Sequence, residues 1–377
     1  MEEIRLSGSE KVRLLGRNGV KRLADGSVDP EGGVALFWTG SGFTVQGRFT
    51  ELWVELEADF ETYEPWISWT LNGAVMGRMM VPKGRHRIPL ARNLNPEKVN
   101  TIRLQKDVQA MAGEPKHILI LLGISVEGTL EELPEPQFQI EFVGDSITSG
   151  EGSIGAVSEM DWISMFFSAF NNYAVMTGDL MEGAEIRIVS QSGYGTYVSF
   201  DNRPDHVVPA FYTRICGVAD GELQKAYGSQ EEYDFSSWQP DAVVINLGTN
   251  DAAAFDFDPY TDPETGRTWK MKRLPDGSHD PECDRLFEEA VYSFLKTVRE
   301  KNSKARILWV TGMLGTEMLP AIKRAHERYM AESGDRNTEV LVLPEAAGES
   351  IGARSHPGRL CHKAAAEYLA DYFHKKF

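Results

Sequence analysis

Basic charge is what this chain has least of. Its 39 Lys and Arg residues stand against 56 Asp and Glu, a net charge of −17 over 377 residues. Nucleic acid and anionic membrane both attract basic surface, so neither is expected as a partner. A neutral substrate suits the charge better. Cysteine is scarce: Cys216, Cys283 and Cys361 are odd in number and far apart. No CxxC or Cys/His spacing is present, so neither a disulfide framework nor a zinc site is expected. No apolar run approaches the ~18 residues of a membrane span. The first residues, Met-Glu-Glu-Ile-Arg-Leu, have neither the basic nor the apolar region of a signal peptide, and the expectation is a cytoplasmic protein. Repeats and low-complexity tracts are missing too.

What is there is an ordinary globular composition, 42% apolar and 25% charged, in a chain long enough for two domains. Residues 1–128 read as β-structure. Leu52, Val54, Leu56, Ala58 and Phe60 alternate with outward-facing residues, the period-two sign of a half-buried strand. Asn72-Gly73 marks a hairpin turn. Further strands are expected over 88–90, 99–104 and 118–124, in an antiparallel sandwich. An acidic, proline-bearing stretch ending at Gln137 supplies a linker over 129–137. From 138 to 377 the rhythm becomes strand, helix, strand. Apolar strands are expected at 139–143, 185–190, 242–247, 306–311 and 339–343. Helices are expected at 160–180, 283–302, 317–333 and 359–375. This alternation predicts a parallel sheet covered on both faces. The irregular stretch 252–281 follows one strand directly, and a long loop there is often functional.

The chemistry centres on Gly144-Asp145-Ser146, where the first of these apolar strands stops. A serine on that turn sits at the mouth of the sheet, where parallel α/β proteins build their sites. The plain alternative is Ser146 as a helix N-cap. Gly248-Thr249-Asn250-Asp251 follows a second apolar run, and His356-Pro357 precedes the last helix. A serine needs a base within hydrogen-bond reach, and His356 is the best placed. His362 and His374 fall inside the last helix; His86, His117, His206, His279 and His326 follow no such block. Gly348-Glu349-Ser350-Ile351-Gly352 also matches a nucleophile elbow, but too little chain follows Ser350 for the rest of that fold.

Gly-Asp-Ser after the first strand, Ser192-Gly193 after the second, Gly-Thr-Asn-Asp after the third and a terminal His-Pro resemble the four blocks of SGNH (GDSL-type) hydrolases. With about 130 residues of β-like sequence ahead of them, including Trp38-Thr39-Gly40-Ser41-Gly42-Phe43, the arrangement is similar to carbohydrate esterase family two. The resemblance implies a flavodoxin-like three-layer α/β domain with a parallel sheet, preceded by an antiparallel, jelly-roll-like β-sandwich. It implies Ser146 as nucleophile and His356 as base. The oxyanion hole would comprise the Ser146 and Gly193 N–H groups and the Asn250 amide. Gly195 competes with Gly193, and Asn250 has a plain alternative as a turn cap. Most SGNH hydrolases carry an aspartate three residues before the histidine, where this chain has Ala353. Family two is known for a Ser–His dyad held by a backbone carbonyl, so a carbonyl within 352–355 is expected to hold His356. Glu345, Glu349 and Asp251 remain as alternatives.

Asp145, Tyr194 and Asp251 are tentative substrate-lining side chains. Trp162, Trp238, Phe255, Tyr260 and Trp269 are other aromatics near the blocks, with Trp238 expected to be structural. The implied activity is removal of O-acetyl groups from oligosaccharides, an acetylated oligosaccharide being the partner, with no cofactor and no metal. The β-sandwich is expected beside the cleft, shaping sugar access. Alternatives on the same scaffold are a lysophospholipase or acyl-thioesterase, and a non-catalytic carbohydrate-binding protein.

Overall fold

The structure is a computed structural model that describes residues 2–4, 6 and 10–377. Its first part is a ten-stranded sheet paired antiparallel throughout. Two long strands, Gly42–Asp59 and Ile118–Glu131, form its spine. Gly42–Asp59 pairs first with Asn100–Lys106 and then with Gly84–Ala91, so its free side passes from one partner to another. Register shifts at Leu121/Gly123 and Glu127/Gly128 bend the spine. The Asn72-Gly73 hairpin is present, joining Trp66–Leu71 to Ala74–Met80, with Asn72 at φ 53° and Gly73 at φ 84°. The period of two sorts the side chains: Leu52, Val54, Leu56 and Ala58 are buried in the core of this sheet.

The second part is a five-stranded parallel sheet in the order Ala184–Ser190, Phe138–Gly144, Ala242–Asn246, Arg306–Thr311, Thr338–Val342. That 2-1-3-4-5 order is flavodoxin-like. Each central strand buries both faces. Val143, Ile245 and Trp309 point to the helices Pro281–Lys301 and Leu319–Ser333, while Phe142, Val244 and Leu308 point to Tyr173–Leu180 and Arg359–Lys376. The expected continuous apolar runs follow from this two-sided burial.

Two boundaries differ from expectation. Ile118–Glu131 runs three residues into the expected linker, leaving 132–137 as the connection. The expected helix at 160–180 exists only as Tyr173–Leu180, capped by Asn172, which accepts from the Ala174 N–H at 2.8 Å. Ahead of that cap, partners on the first sheet compete with helical bonding. Asp107 accepts from the Ala169 N–H at 2.8 Å, and Arg78 donates to the Met165 and Phe167 carbonyls at 3.0 and 2.8 Å.

The two parts share one interior. Along Ile118–Glu131, Leu119 and Leu121 enter the core of the first sheet. Ile118 and Ile120, on the opposite face, enter the core of the second part with Phe37 and Trp38. Each such aliphatic side chain contributes about 1.5–3 kcal/mol by burial. Arg17, 1% exposed, pairs with Glu141 of the first parallel strand at 2.7 Å, and Tyr212 donates to the other Glu141 oxygen at 2.7 Å.

Candidate active site

The strand Phe138–Gly144 ends at the mouth of the parallel sheet, and a one-turn helix, Ser146–Ser149, follows at once. Asp145 is its cap, accepting from the Ile147 N–H at 3.0 Å. The plain reading of Ser146 as N-cap is thereby corrected: the cap is the residue before it. Ser146 is left on the first helical position with its hydroxyl uncommitted to the backbone. His356 Nε2 lies 2.9 Å from Ser146 Oγ, and His356 Nδ1 lies 2.9 Å from the Arg354 carbonyl. A carbonyl accepts only from an N–H, so it places the proton on Nδ1 and leaves Nε2 to accept from the serine.

That carbonyl is aimed by an uncommon backbone. Arg354 (φ 56°, ψ 32°) and Ser355 (φ 55°) are consecutive non-glycine residues in the left-handed region. Such residues cost on the order of 1–3 kcal/mol each and persist only where their surroundings hold them. Here the Ala353 N–H donates to the Gly152 carbonyl at 3.1 Å, the Arg354 N–H to the Glu159 carbonyl at 2.7 Å, and the Gly352 N–H to the His356 carbonyl at 2.8 Å. Gly152 must be glycine for the loops to meet. Its φ is 68°, and a Cβ there would lie 2.3 Å from the Ala353 oxygen.

No carboxylate takes the place of the missing aspartate. Ala353 is fully buried; Glu345 and Glu349 are exposed. Asp251 is fully buried and engaged elsewhere, accepting from the N–H groups of Thr196, Tyr197 and Val198 at 2.8, 2.7 and 3.1 Å. The carboxylate that does approach the histidine is Glu151, which sequence reasoning missed. Glu151 is 2% exposed, and its Oε1 lies 3.8 Å from His356 Nε2 and 2.9 Å from Arg354 Nε. The Arg354 contact lacks hydrogen-bond alignment, both atoms being buried without a hydrogen-bond partner, so it acts as an ion pair. The only signal in the sequence was an acidic residue inside the small turn Ser149-Gly150-Glu151-Gly152-Ser153.

Across the site, Gly193 takes φ 80°, which favours glycine. Among the described residues, neither the Ser146 N–H nor the Gly193 N–H has a protein acceptor. The competing Gly195 N–H is committed to the His206 carbonyl at 3.3 Å. Asn250 Nδ2 donates to the Tyr194 carbonyl at 2.9 Å and touches Asp145 Oδ2 at 3.3 Å. The second contact is long and weak. The Ser146 and Gly193 N–H groups are thus free to donate, while the Asn250 amide is engaged by Tyr194 and Asp145.

The three tentative substrate-lining residues require correction. Asp145 and Asp251 are wholly buried, the first as a cap, the second holding the 196–198 turn. Burial pushes Asp145 up to about 7 and Asp251 to about 6, against the pull of their backbone donors. Tyr194 is 9% exposed, stacked on His206 at 4.8 Å and set edge-on to Phe211. All three shape the site from beneath. Ser350 bonds within its own turn, to the Ala347 N–H and carbonyl, both at 2.8 Å, and meets no histidine. Trp238 is buried under Arg187, as expected of a structural residue.

Residues 140–350 match the family model for the GDSL-like lipase/acylhydrolase. A cellulase/esterase of Acetivibrio thermocellus is 27% identical over 355 residues, which are 90% of this chain and 37% of that protein. An acetylxylan esterase / glucomannan deacetylase of Cellvibrio japonicus is 29% identical over 117 residues, 31% of this chain and 30% of that one. The chain thus spans about a third of the length of the curated relatives it matches. Among solved structures, an acetyl xylan esterase from the rumen bacterium Butyrivibrio proteoclasticus superposes with a TM-score of 0.94 at 37% identity, covering 100% of this chain and 99% of that one. A family two carbohydrate esterase from Clostridium thermocellum, in complex with cellohexaose, shares the fold with a TM-score of 0.76 at 23% identity, covering 97% and 98%. With residues 140–350 matching its model, the chain belongs to the GDSL-like lipase/acylhydrolase family.

Proposed function

We propose that this protein is a serine esterase that removes O-acetyl groups from oligosaccharides through a Ser146–His356 dyad. The observation that carries the reading is the relay from Ser146 Oγ through His356 to the Arg354 carbonyl, with both links at 2.9 Å. The names of the relatives, acetylxylan esterases and a glucomannan deacetylase among them, support acetylated saccharides as the substrate class. Ser146 Oγ attacks the ester carbonyl carbon as its proton passes to His356 Nε2. The oxyanion is met by the Ser146 and Gly193 N–H groups, and by Asn250, which exchanges its long contact to Asp145 for the oxyanion. The tetrahedral intermediate collapses, and the departing sugar oxygen takes the proton from His356. Water, deprotonated by His356, then attacks the acetyl–Ser146 ester, acetate leaves, and the serine regains its proton.

Hydrolysis rates on acetyl, butyryl and octanoyl esters test the reading. Acetyl esters should be cleaved fastest, with a steep fall within two carbons, since a methylene changes discrimination by about 1–3 kcal/mol in a close-fitting pocket. Octanoyl turnover equal to acetyl turnover would favour a lipid or thioester substrate instead.

A further inference from the structure

The turn carrying the Gly193 donor is held by backbone bonds of its own domain, the Gln191 N–H to the Gly144 carbonyl and the Phe200 N–H to the Gly193 carbonyl, both at 3.2 Å, and also from the antiparallel sheet. Ser192 donates to Gln109 Oε1 through its backbone N–H at 2.8 Å and through its hydroxyl at 2.9 Å. Gln109 follows the strand Asn100–Lys106 of the antiparallel sheet and is 1% exposed. The same short segment is anchored on both sides. Lys106 Nζ donates to the Gln109 carbonyl at 3.0 Å and to the Phe37 carbonyl at 2.7 Å. Asp107, wholly buried, grips Ser68, Arg78 and the Ala169 N–H at 2.7, 2.8 and 2.8 Å. The backbone that carries Gln109 is thus fixed, and its buried side chain is enclosed there. The turn it supports is short and centred on a glycine, the residue with the most freedom to lose. The Gly193 N–H donates to no protein group among the described residues, so its aim depends on what holds the turn at Ser192, at the Gly193 carbonyl and at the Tyr194 carbonyl.

We propose that Gln109 is a positioning residue of the oxyanion hole: reaching across from the antiparallel sheet, it fixes the Ser192–Gly193 turn so that the Gly193 N–H points at the oxyanion. The inference rests on the esterase reading above. On this view the first domain is part of the catalytic apparatus and not an accessory module. Its contribution is made in the transition state, because a misdirected donor leaves ground-state substrate binding almost untouched.

The test uses the full chain with Gln109→Met, which keeps the side-chain length but removes the acceptor, and Ser192→Ala, which removes one of the two hydrogen bonds. Three quantities are measured on an aryl acetate: kcat, KM, and Ki for an arylboronic acid. In the boronate adduct Ser146 Oγ bonds to boron, its proton passes to His356, and a boron-bound oxygen occupies the oxyanion position. Gln109→Met should lower kcat by about tenfold or more, in line with an impaired oxyanion donor. KM should stay within about twofold, and the boronate Ki should rise in parallel with the loss in kcat/KM. Ser192→Ala should show the same pattern at a fraction of the size, and it serves alone if Gln109→Met does not fold. Loss of kcat with an unchanged boronate Ki signals fewer folded molecules and overturns the proposal. So does kcat within twofold of wild type in Gln109→Met, or an unchanged Ki in Ser192→Ala. Failure of the esterase reading would look different, as wild-type protein that turns over no acetyl ester.

Discussion

Arg354 is separated from His356 by one residue, and its carbonyl meets His356 Nδ1 at 2.9 Å, with both Arg354 and Ser355 left-handed. In the proposed dyad, backbone conformation takes the place that a carboxylate has in a triad. Arg354→Gly should keep esterase activity within several-fold, since glycine accepts φ 56° without strain. Arg354→Pro should be inactive: proline's φ is fixed near −65° and it lacks the N–H that bonds the Glu159 carbonyl. Steady-state kinetics of both variants beside their melting temperatures separate misplacement of the histidine from unfolding. An active Arg354→Pro would rule out the carbonyl as the histidine's partner.

The nucleophile assignment makes a paired prediction. Ser146→Ala should abolish turnover with little change in thermal stability, the Ser146 side chain making no bond except to His356. Ser350→Ala should leave activity within a few-fold, since the Ser350 hydroxyl bonds within its own turn, to Ala347. The reverse outcome would move the active site to the 348–352 turn.

Glu151 stands 3.8 Å from His356 Nε2, on the side where the imidazolium appears during attack. Its negative charge favours that cation in a site of reduced dielectric. Glu151→Gln keeps the shape and removes the charge, so kcat should fall about tenfold while KM for a small aryl acetate changes little. An unchanged kcat would show the carboxylate to be a partner of Arg354 only.

The expectation that the β-domain shapes sugar access leads to a selective phenotype on removing residues 1–128, with glycan deacetylation harmed more than hydrolysis of a small aryl acetate. The structure points to a harsher one. Deletion strips Arg17 from buried Glu141, Thr39 from the Ser149 carbonyl, and Ile118 and Ile120 from the shared core. An unpaired buried charge of this kind typically costs about 3–5 kcal/mol. The truncated chain should lose aryl acetate and glycan activity together, and circular dichroism should show it unfolded. A folded fragment that hydrolyses aryl acetate but not glycan would restore the simpler picture.

Lys106 gives a stability prediction with a definite sign. It is 1% exposed with two backbone carbonyls for partners, and burial lowers it from 10.5 to about 7. The titratable groups facing it are Cys216, whose thiol is pushed above its usual range by burial, and His117, pushed well below its usual value. A depressed pKa means that the unfolded chain holds the proton over the range that the folded one does not. Stability from this group is therefore complete above 10.5, and it falls as pH drops towards about 7. The slope is at most about 1.4 kcal/mol per pH unit. Lys106→Met should flatten that part of the pH–stability curve measured by urea unfolding. A slope unchanged in the variant would assign the dependence to other groups.

Much of this molecule was legible from local pattern. Largely apolar runs place the parallel strands to within a residue or two, because burial on both faces leaves few polar positions in them. Asn72-Gly73 marks its hairpin by backbone preference alone. Gly144-Asp145-Ser146, Gly193, Asn250 and His356 stand out because each follows a strand of one sheet, and the ends of parallel strands meet at one edge. The carbonyl partner of His356 was implied by the resemblance to carbohydrate esterase family two, with Ala353 at the place of the usual acid, and not by local pattern. Tertiary structure alone decided the rest, and in each case the cause is a contact between residues distant in sequence. The helix over 160–172 is lost to Asp107 and Arg78, which offer its backbone other partners. Asp251 is taken from the cleft by three N–H groups of the 196–198 turn. Glu151 becomes the carboxylate of the site because the Ala353–Ser355 turn folds onto it. Local propensity carries no record of such meetings: they depend on the packing of two sheets against each other, and only the assembled fold supplies it.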